Sequence, residues 1–306
     1  MPATPSKTER QTAAQKKAAA DADQYFTRLE VAGDCLDRMR ALLPRKVANA
    51  AWWIEPSAGN GSFLTHLTHR NLTSWGGDLH PQHPAIHTHD YLKDPLPTLP
   101  GHTGKTIVIG NPPFGKKAKL AVAFINQALK QGGLVGFIVP IQLRKWSAQK
   151  HIQHGARLVM DLDLQEDAFL FLGEPYKLRS CFQVWTTWPE RELPGADLRL
   201  TGAPALNHED YEAWQYNCTK EALKYFDYDW DFAVLRQGYG DFSVLYSQAD
   251  KAQMDTRKQW IFIKAKSPEA LARLRALDFV KLSQRNTGTP GFGKADLLDA
   301  YLAAKG

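Results

Sequence analysis

The residues with the most chemical content lie in TIVIGNPPFGKKAK, residues 106 to 119. Ile107, Val108 and Ile109 form a β-branched apolar run suited to a buried strand. That run passes directly into Asn111, Pro112, Pro113 and Phe114. Prolines donate no ladder hydrogen bond, so the strand ends here, and two in succession stiffen the backbone. Asn111 and Phe114 are therefore presented at a strand end in a nearly fixed relation, an amide beside an aromatic face. A rigid strand exit is the plainest account of the prolines, and the rest of the chain decides whether the amide and the ring have a task.

A second cluster, WWIEPSAGNGSF, places Glu55, Pro56 and Ser57 at the end of a strand, then Gly59 and Gly61 before a helix. Glycines in such a turn let the backbone approach a ligand, and the helix N-terminus offers free N–H groups, so this is a nucleotide-type cradle. It is neither GxGxxG nor a Walker loop, which disfavours a dinucleotide or a triphosphate. The next strand ends in Asp78 within WGGDLHP, where a carboxylate can accept from ribose hydroxyls. A third ends in HDYL, where Asp90 can accept from an exocyclic amine and Tyr91 can stack on a purine. One loop carboxylate means little. Three such strand ends in succession, with Asn-Pro-Pro-Phe on the fourth, describe one site.

An alternation of strand, turn and helix from Ala51 to about Trp188 must position these groups. AWWIEP, TSWGGD, AIHTHD and TIVIG read as strands and NGSFLTHLTHR as a helix. In KLAVAFINQALKQGG, Leu120, Phe124 and Ala128 recur with Ala121, Ile125 and Leu129 at i, i+4, and Gly132-Gly133 stop the helix. LVGFIVP is apolar enough to be buried on both faces. WSAQKHIQHG reads as a helix, then ARLVMDLDL and SCFQVWTTW as strands. The fold class expected is α/β, a Rossmann-like, largely parallel sheet with helices on both faces and ligands beyond the strand carboxyl ends. Pro189, Pro194 and Pro204 break regular structure and set a domain boundary near residue 190. Residues 191–306 read as a smaller α+β domain, with YEAWQYNCTKEALKYF as a helix and YDWDFAVL, FSVLYS and KQWIFIKA as strands. SPEALARLRALDF is a helix capped by Ser267, with Pro268 in the first helical position.

At 306 residues the chain allows one large domain or two ordinary ones. A formal net charge of +6, with basic runs at Lys116-Lys117-Lys119 and Arg144-Lys145, favours a polyanionic partner. No apolar stretch is long enough for a membrane helix. Residues 1–20 read as a flexible basic arm without the pattern of a secretory signal. Cys35, Cys181 and Cys218 lack paired spacing, which fits a reducing cytoplasm rather than a disulfide framework or a zinc knuckle. His80, His83, His87 and His89 crowd together, but two prolines break the geometry that would converge them on a metal. Asp227, Asp229 and Asp231 alternate with Tyr228, Trp230 and Phe232, which describes a half-buried strand rather than a calcium loop. RQGYGDF and QRNTGTPGFGK are glycine-rich loops that carry Arg236, Gln237, Arg285 and Asn286, residue types that read base edges.

Taken in order, EPSAGNGSF, GGD, HDYL and GNPPF resemble the motifs of S-adenosylmethionine-dependent amino-methyltransferases, most closely the DNA N6-adenine methyltransferases. DQYFTRLEVAGDCLDRM, residues 23 to 39, is similar to the segment that precedes the cofactor loop in that family, where Tyr25 and Thr27 would close over the methionine end. The motif order is that of the gamma arrangement, and the resemblance covers roughly residues 21–190. It implies a catalytic methyltransferase domain there, a target-recognition domain over 191–306, S-adenosyl-L-methionine as cofactor and double-stranded DNA as partner. It further implies that the Asn111 side-chain oxygen and the Pro112 carbonyl accept the two hydrogens of adenine N6, with Pro113 holding them apart. Phe114 would stack on a base taken out of the duplex. Lys116, Lys117, Lys119, Arg144 and Lys145 would meet phosphates, and Arg236 and Arg285 the target sequence. The same motif serves adenine N6 or guanine N2 in RNA, so an RNA base methyltransferase stays open. So do a protein-glutamine methyltransferase, a non-catalytic nucleic-acid-binding subunit, and the oligomeric state, a monomer included.

Overall fold

The computed structural model describes residues 25–305, and the arm expected over residues 1–20 lies outside them. The chain divides into two compact units that meet in sequence between Thr201 and Gly202. In chain order the first unit contains β1 (Phe26–Thr27), α1 (Leu29–Ala41), α2 (Arg45–Ala50), β2 (Trp52–Glu55) and α3 (Ser62–His69). Next come β3 (Ser74–Asp78), β4 (His87–Thr88), β5 (Thr106–Gly110), α4 (Lys119–Gln131) and β6 (Leu134–Pro140). The unit ends with α5 (Trp146–Gln149), β7 (Arg157–Asp163), β8 (Phe169–Phe171), β9 (Glu174–Tyr176) and β10 (Ser180–Thr186).

Seven strands form the main sheet in the order β4-β3-β2-β5-β6-β10-β7. The first five are parallel, and β10 runs antiparallel to both β6 and β7. Side chains alternate across the sheet, so successive residues enter opposite cores. Trp53, Ile107 and Ile109 join Val31, Leu36 and Met39 of α1 on one face. Trp52, Ile54 and Val108 meet Ala121, Ile125 and Leu129 of α4 on the other. Burial on both faces is why these strands read as unbroken apolar runs. The chain moves outward from β2 through β3 to β4, then returns to the other side of β2 as β5. This reversal is a topological switch point, where ligands of α/β sheets bind.

β8 and β9 form a hairpin that pairs with β1 as a separate three-stranded sheet. Neither the hairpin nor this sheet is among the elements expected from sequence.

The segment after residue 190, read as the start of a second domain, packs within the first unit as far as Thr201. Leu193 is fully buried, and the Arg199 guanidinium donates to the carbonyls of Gln149, Ile152, Gln153 and Ala156. Proline breaks regular structure there without ending the packing.

The second unit holds β11 (Tyr211–Tyr216), β12 (Phe232–Gln237), β13 (Gln259–Ala265), α6 (Pro268–Arg275), α7 (Phe279–Ser283) and α8 (Lys294–Lys305). Its antiparallel sheet has the order β11-β13-β12. The Ser267 side chain caps α6 by accepting from the Ala270 amide. The stretch expected as one helix is instead β11 followed by a 3-10 turn at Leu223–Asp227. Tyr211 and Ala213 bury on one face while Glu212 is exposed, a period of two that pairing with β13 rewards over helical propensity. FSVLYS makes one bridge, Ala233 to Tyr246, rather than a strand. Among the described residues no helix is long and apolar enough to cross a membrane.

Candidate active site

A cavity of about 330 Å³ opens at the carboxyl ends of β2, β3 and β5, beside the switch point. Its walls come from the turn after β2, the ends of β3 and β5, the segment after β4 and the residues of β1. Hydrogen bonds between these loops hold the site together.

Gly59 has φ +50, and a Cβ there would lie 3.0 Å from the Phe26 ring. Its amide donates to Asp78 Oδ2 at 2.8 Å, which ties the turn after β2 to the end of β3. Asp78 Oδ1 accepts from the His80 amide at 2.8 Å, so the carboxylate is fixed at the cavity wall. Gly61, at φ +83, leads into α3. Glu55 lies beneath the turn, 2% exposed, and accepts from the Leu64 amide of α3 at 2.7 Å. Burial pushes its carboxyl well above the usual carboxylate range, against the pull of the Leu64 and Phe63 amides. Ser57 Oγ donates to the Asn111 carbonyl at 3.0 Å, fixing the backbone of the Asn-Pro-Pro-Phe turn relative to the glycine turn.

Asn111 carries the most telling geometry. Its Nδ2 donates to the Tyr25 carbonyl at 3.0 Å, while its Oδ1 is buried and accepts no hydrogen bond. The reverse amide orientation would set two oxygens face to face, so the Tyr25 carbonyl selects this one. A buried acceptor left without a donor costs about 1–3 kcal/mol, a cost removed when an N–H reaches it. Pro112, Pro113, Phe114 and Tyr25 enclose a second, much smaller space beside Asn111. Thr27 repeats the theme: it is 4% exposed, and its Oγ1 is buried without a partner while its carbonyl accepts from Ser62 Oγ.

The other candidate residues divide between the cavity, the surface and the interior of the fold. Tyr91, expected to stack on a purine, lines the cavity together with Asp90; its ring, 2% exposed, packs on Phe124 and its hydroxyl donates to Gln131. Asp90 pairs with Lys93 at 2.9 Å, and that hydrogen bond lowers its carboxyl below the usual range. Pro56 lines the cavity as expected of its turn. Lys116, Lys117 and Lys119 are exposed just beyond Phe114. Arg144 is committed elsewhere: its guanidinium grips Asp161 with two nitrogens and also pairs with Asp163. Lys145 is half-buried at the start of α5. In the second unit Arg236 is also internal, donating to the Phe292 carbonyl and to Gln259 Oε1, and burial lowers its pKa. Arg285 is half-exposed and lies 3.9 Å from Asp299.

The hairpin adds aromatic residues that sequence reading missed. Tyr25 stacks on Phe171 at 5.2 Å and contacts Tyr176 at 5.0 Å, and Phe114 meets Phe169 edge-on at 6.2 Å. The available signal was Phe169 and Phe171 at period two before a glycine, in a stretch too short to stand out.

No family model matches the chain, and no curated protein sequence matches it. Among solved structures it resembles a type I restriction-modification methyltransferase subunit from Streptococcus thermophilus, at 16% identity and a TM-score of 0.41, over 53% of this chain and 44% of that one. The chain thus spans less than half the length of that subunit. It also resembles the 23S rRNA methyltransferase ErmE, at 16% identity and a TM-score of 0.37, over 56% and 74% of the two chains. The type I restriction enzyme EcoKI M protein is similar at 12% identity and a TM-score of 0.35, over 87% and 70%. At these scores no residue role transfers from them to this chain.

Proposed function

We propose that the chain transfers a methyl group from S-adenosylmethionine to the N6 amine of an adenine flipped out of double-stranded DNA. The observation that carries this reading is the buried, unpartnered Oδ1 of Asn111, held by the Tyr25 carbonyl at the end of β5. The residues fit the cofactor: Asp78 offers a carboxylate at the wall for ribose hydroxyls, the Gly59 turn lines the cavity, and Thr27 Oγ1 awaits a partner. When bound, S-adenosylmethionine supplies a sulfonium methyl group as the electrophile.

The amine of adenine is a weak nucleophile because its lone pair is delocalised into the ring. Asn111 Oδ1 accepts one N–H and the Pro112 carbonyl the other. The nitrogen is then drawn toward tetrahedral geometry, and its lone pair is freed from the ring. The two oxygens also stabilise the positive charge that grows on the nitrogen as the N–C bond would form and the methyl–sulfur bond break. S-adenosylhomocysteine would leave and the nitrogen's extra proton would pass to water, so the residues act by orientation and electrostatics rather than as a base. Phe114 offers a face to the base once Tyr25 and Phe114 have parted to admit it, because the space they now enclose is far smaller than a purine. The net charge of +6 and the exposed lysines beyond Phe114 support a nucleic-acid substrate. The second unit, Gly202–Gly306, supplies the surface that reads the target.

The test is label transfer from methyl-labelled S-adenosylmethionine to unmethylated duplex DNA and, in parallel, to total RNA, followed by digestion to nucleosides. N6-methyladenine from DNA is expected. Label in RNA alone moves the substrate, and label in neither removes the reading.

A further inference from the structure

The hairpin that covers Tyr25 ends in a turn that folding does not explain. Leu172 and Gly173 form its tip with φ +52 and +86. A two-residue hairpin turn with both φ values positive favours Asn-Gly or Asp-Gly, because a larger L-residue is strained there. Leu172 is that strained residue, and it is 52% exposed. Nothing lies within 4 Å of a Cβ built on Gly173, so the tip projects into open space. An apolar side chain is thus held on strained backbone where water, not a core, receives it. Strain and exposure at one residue are a reason to look for a task outside the fold.

The place of the tip says what the task is. Leu172 follows Phe171, whose ring stacks on Tyr25, the residue whose carbonyl orients Asn111. One residue of strand spans about 3.4 Å. The base of the same hairpin touches Phe114 through Phe169. Lys116 and Lys117 are exposed on the turn after Phe114, and Lys177 just after Tyr176. A base delivered to Asn111 has to pass Tyr25 and Phe114, the two rings on which this hairpin packs.

Resting on the methyltransferase reading above, we propose that Leu172 is a wedge: its side chain enters the base stack of duplex DNA and occupies space left by the extruded nucleotide. Apolar side chains inserted between base steps are a general means of unstacking a duplex. The wedge makes no contact with the reacting atoms. It assists extrusion, so it matters when the target base is paired and stacked and not when it is already loose.

The experiment uses Leu172→Asn, which places at the tip the residue the turn prefers and so keeps the hairpin. Single-turnover methylation is measured on two duplexes with the same target sequence, one fully paired and one with an abasic site opposite the target base. On the paired duplex the variant should be slower by about tenfold, in line with an unpairing cost of a few kcal/mol shared among several contacts. On the abasic duplex it should match the wild type, and its melting temperature should be equal or higher. Equal losses on both duplexes, or no loss on either, overturn the wedge while leaving the methyltransferase reading intact. A wild-type chain that methylates neither duplex overturns both.

Discussion

Asn111→Ala separates chemistry from folding. The substitution removes the bond from Nδ2 to the Tyr25 carbonyl, worth about 0.5–1.5 kcal/mol net. It also removes a buried oxygen that had no donor, relieving a penalty of about 1–3 kcal/mol. The two changes oppose each other, so the net effect lies between a loss of about 0.5 and a gain of about 2.5 kcal/mol. Cofactor affinity should stay within a few-fold, because the Gly59 turn, Asp78 and Thr27 are untouched. The transition state loses one of two preorganised acceptors, and deleting one partner of this kind lowers kcat by about 10²–10³-fold, or roughly 2.7–4 kcal/mol.

The assay is single-turnover label transfer to DNA, beside chemical denaturation and calorimetric titration with S-adenosylmethionine. Transfer at the wild-type rate would refute the role given to Oδ1. A large loss of stability would refute the claim that this amide is poised for a ligand rather than for packing.

Three further outcomes follow from the same geometry. A carboxyl raised in the folded state disfavours folding once pH exceeds its unfolded value. Glu55→Gln should therefore match wild type near pH ~4 and become the more stable protein as pH rises, read by denaturation across a pH series, whereas a pH-independent difference contradicts it. Gly59→Ala puts a Cβ against Phe26 at positive φ and should lower stability by about 1–2 kcal/mol, with an unchanged denaturation midpoint as the contrary result. Lys116→Gln with Lys117→Gln should reduce the slope of log affinity for DNA against log salt by about 1.8. Arg144→Ala should leave that slope unchanged and cost about 1–3 kcal/mol of stability through its lost charged hydrogen bonds, so a reduced slope for Arg144→Ala would reverse the assignment.

The parallel sheet was legible because its strands are buried on both faces and so spell unbroken apolar runs, as in Ile107–Ile109 and Leu134–Val139. Asn111 and the Gly59 turn were legible because Pro and Gly constrain backbone locally, whatever packs around them. Arg144 was not, since its fate depends on Asp161 and Asp163 of β7, a strand whose neighbours the local sequence does not reveal. Tyr91 was read as a ligand platform and lines the cavity, but its bond to the half-buried Gln131 of α4 and its packing on Phe124 join distant segments and were not legible. The hairpin escaped notice because its strands are three residues each, and β8 pairs with β1, a contact between distant segments. β11 escaped for the same reason, since the register with β13 outweighs the helical reading of its local residues.

The most direct measurement is a crystal structure of the chain with a non-reactive analogue of S-adenosylmethionine and a DNA duplex that carries its methylation site. The account predicts an extrahelical adenine with N6 at about 2.7–3.2 Å from Asn111 Oδ1, and Nδ2 still bonded to the Tyr25 carbonyl. An amide turned with Nδ2 toward the base, or a target base seated away from Asn111, would contradict it.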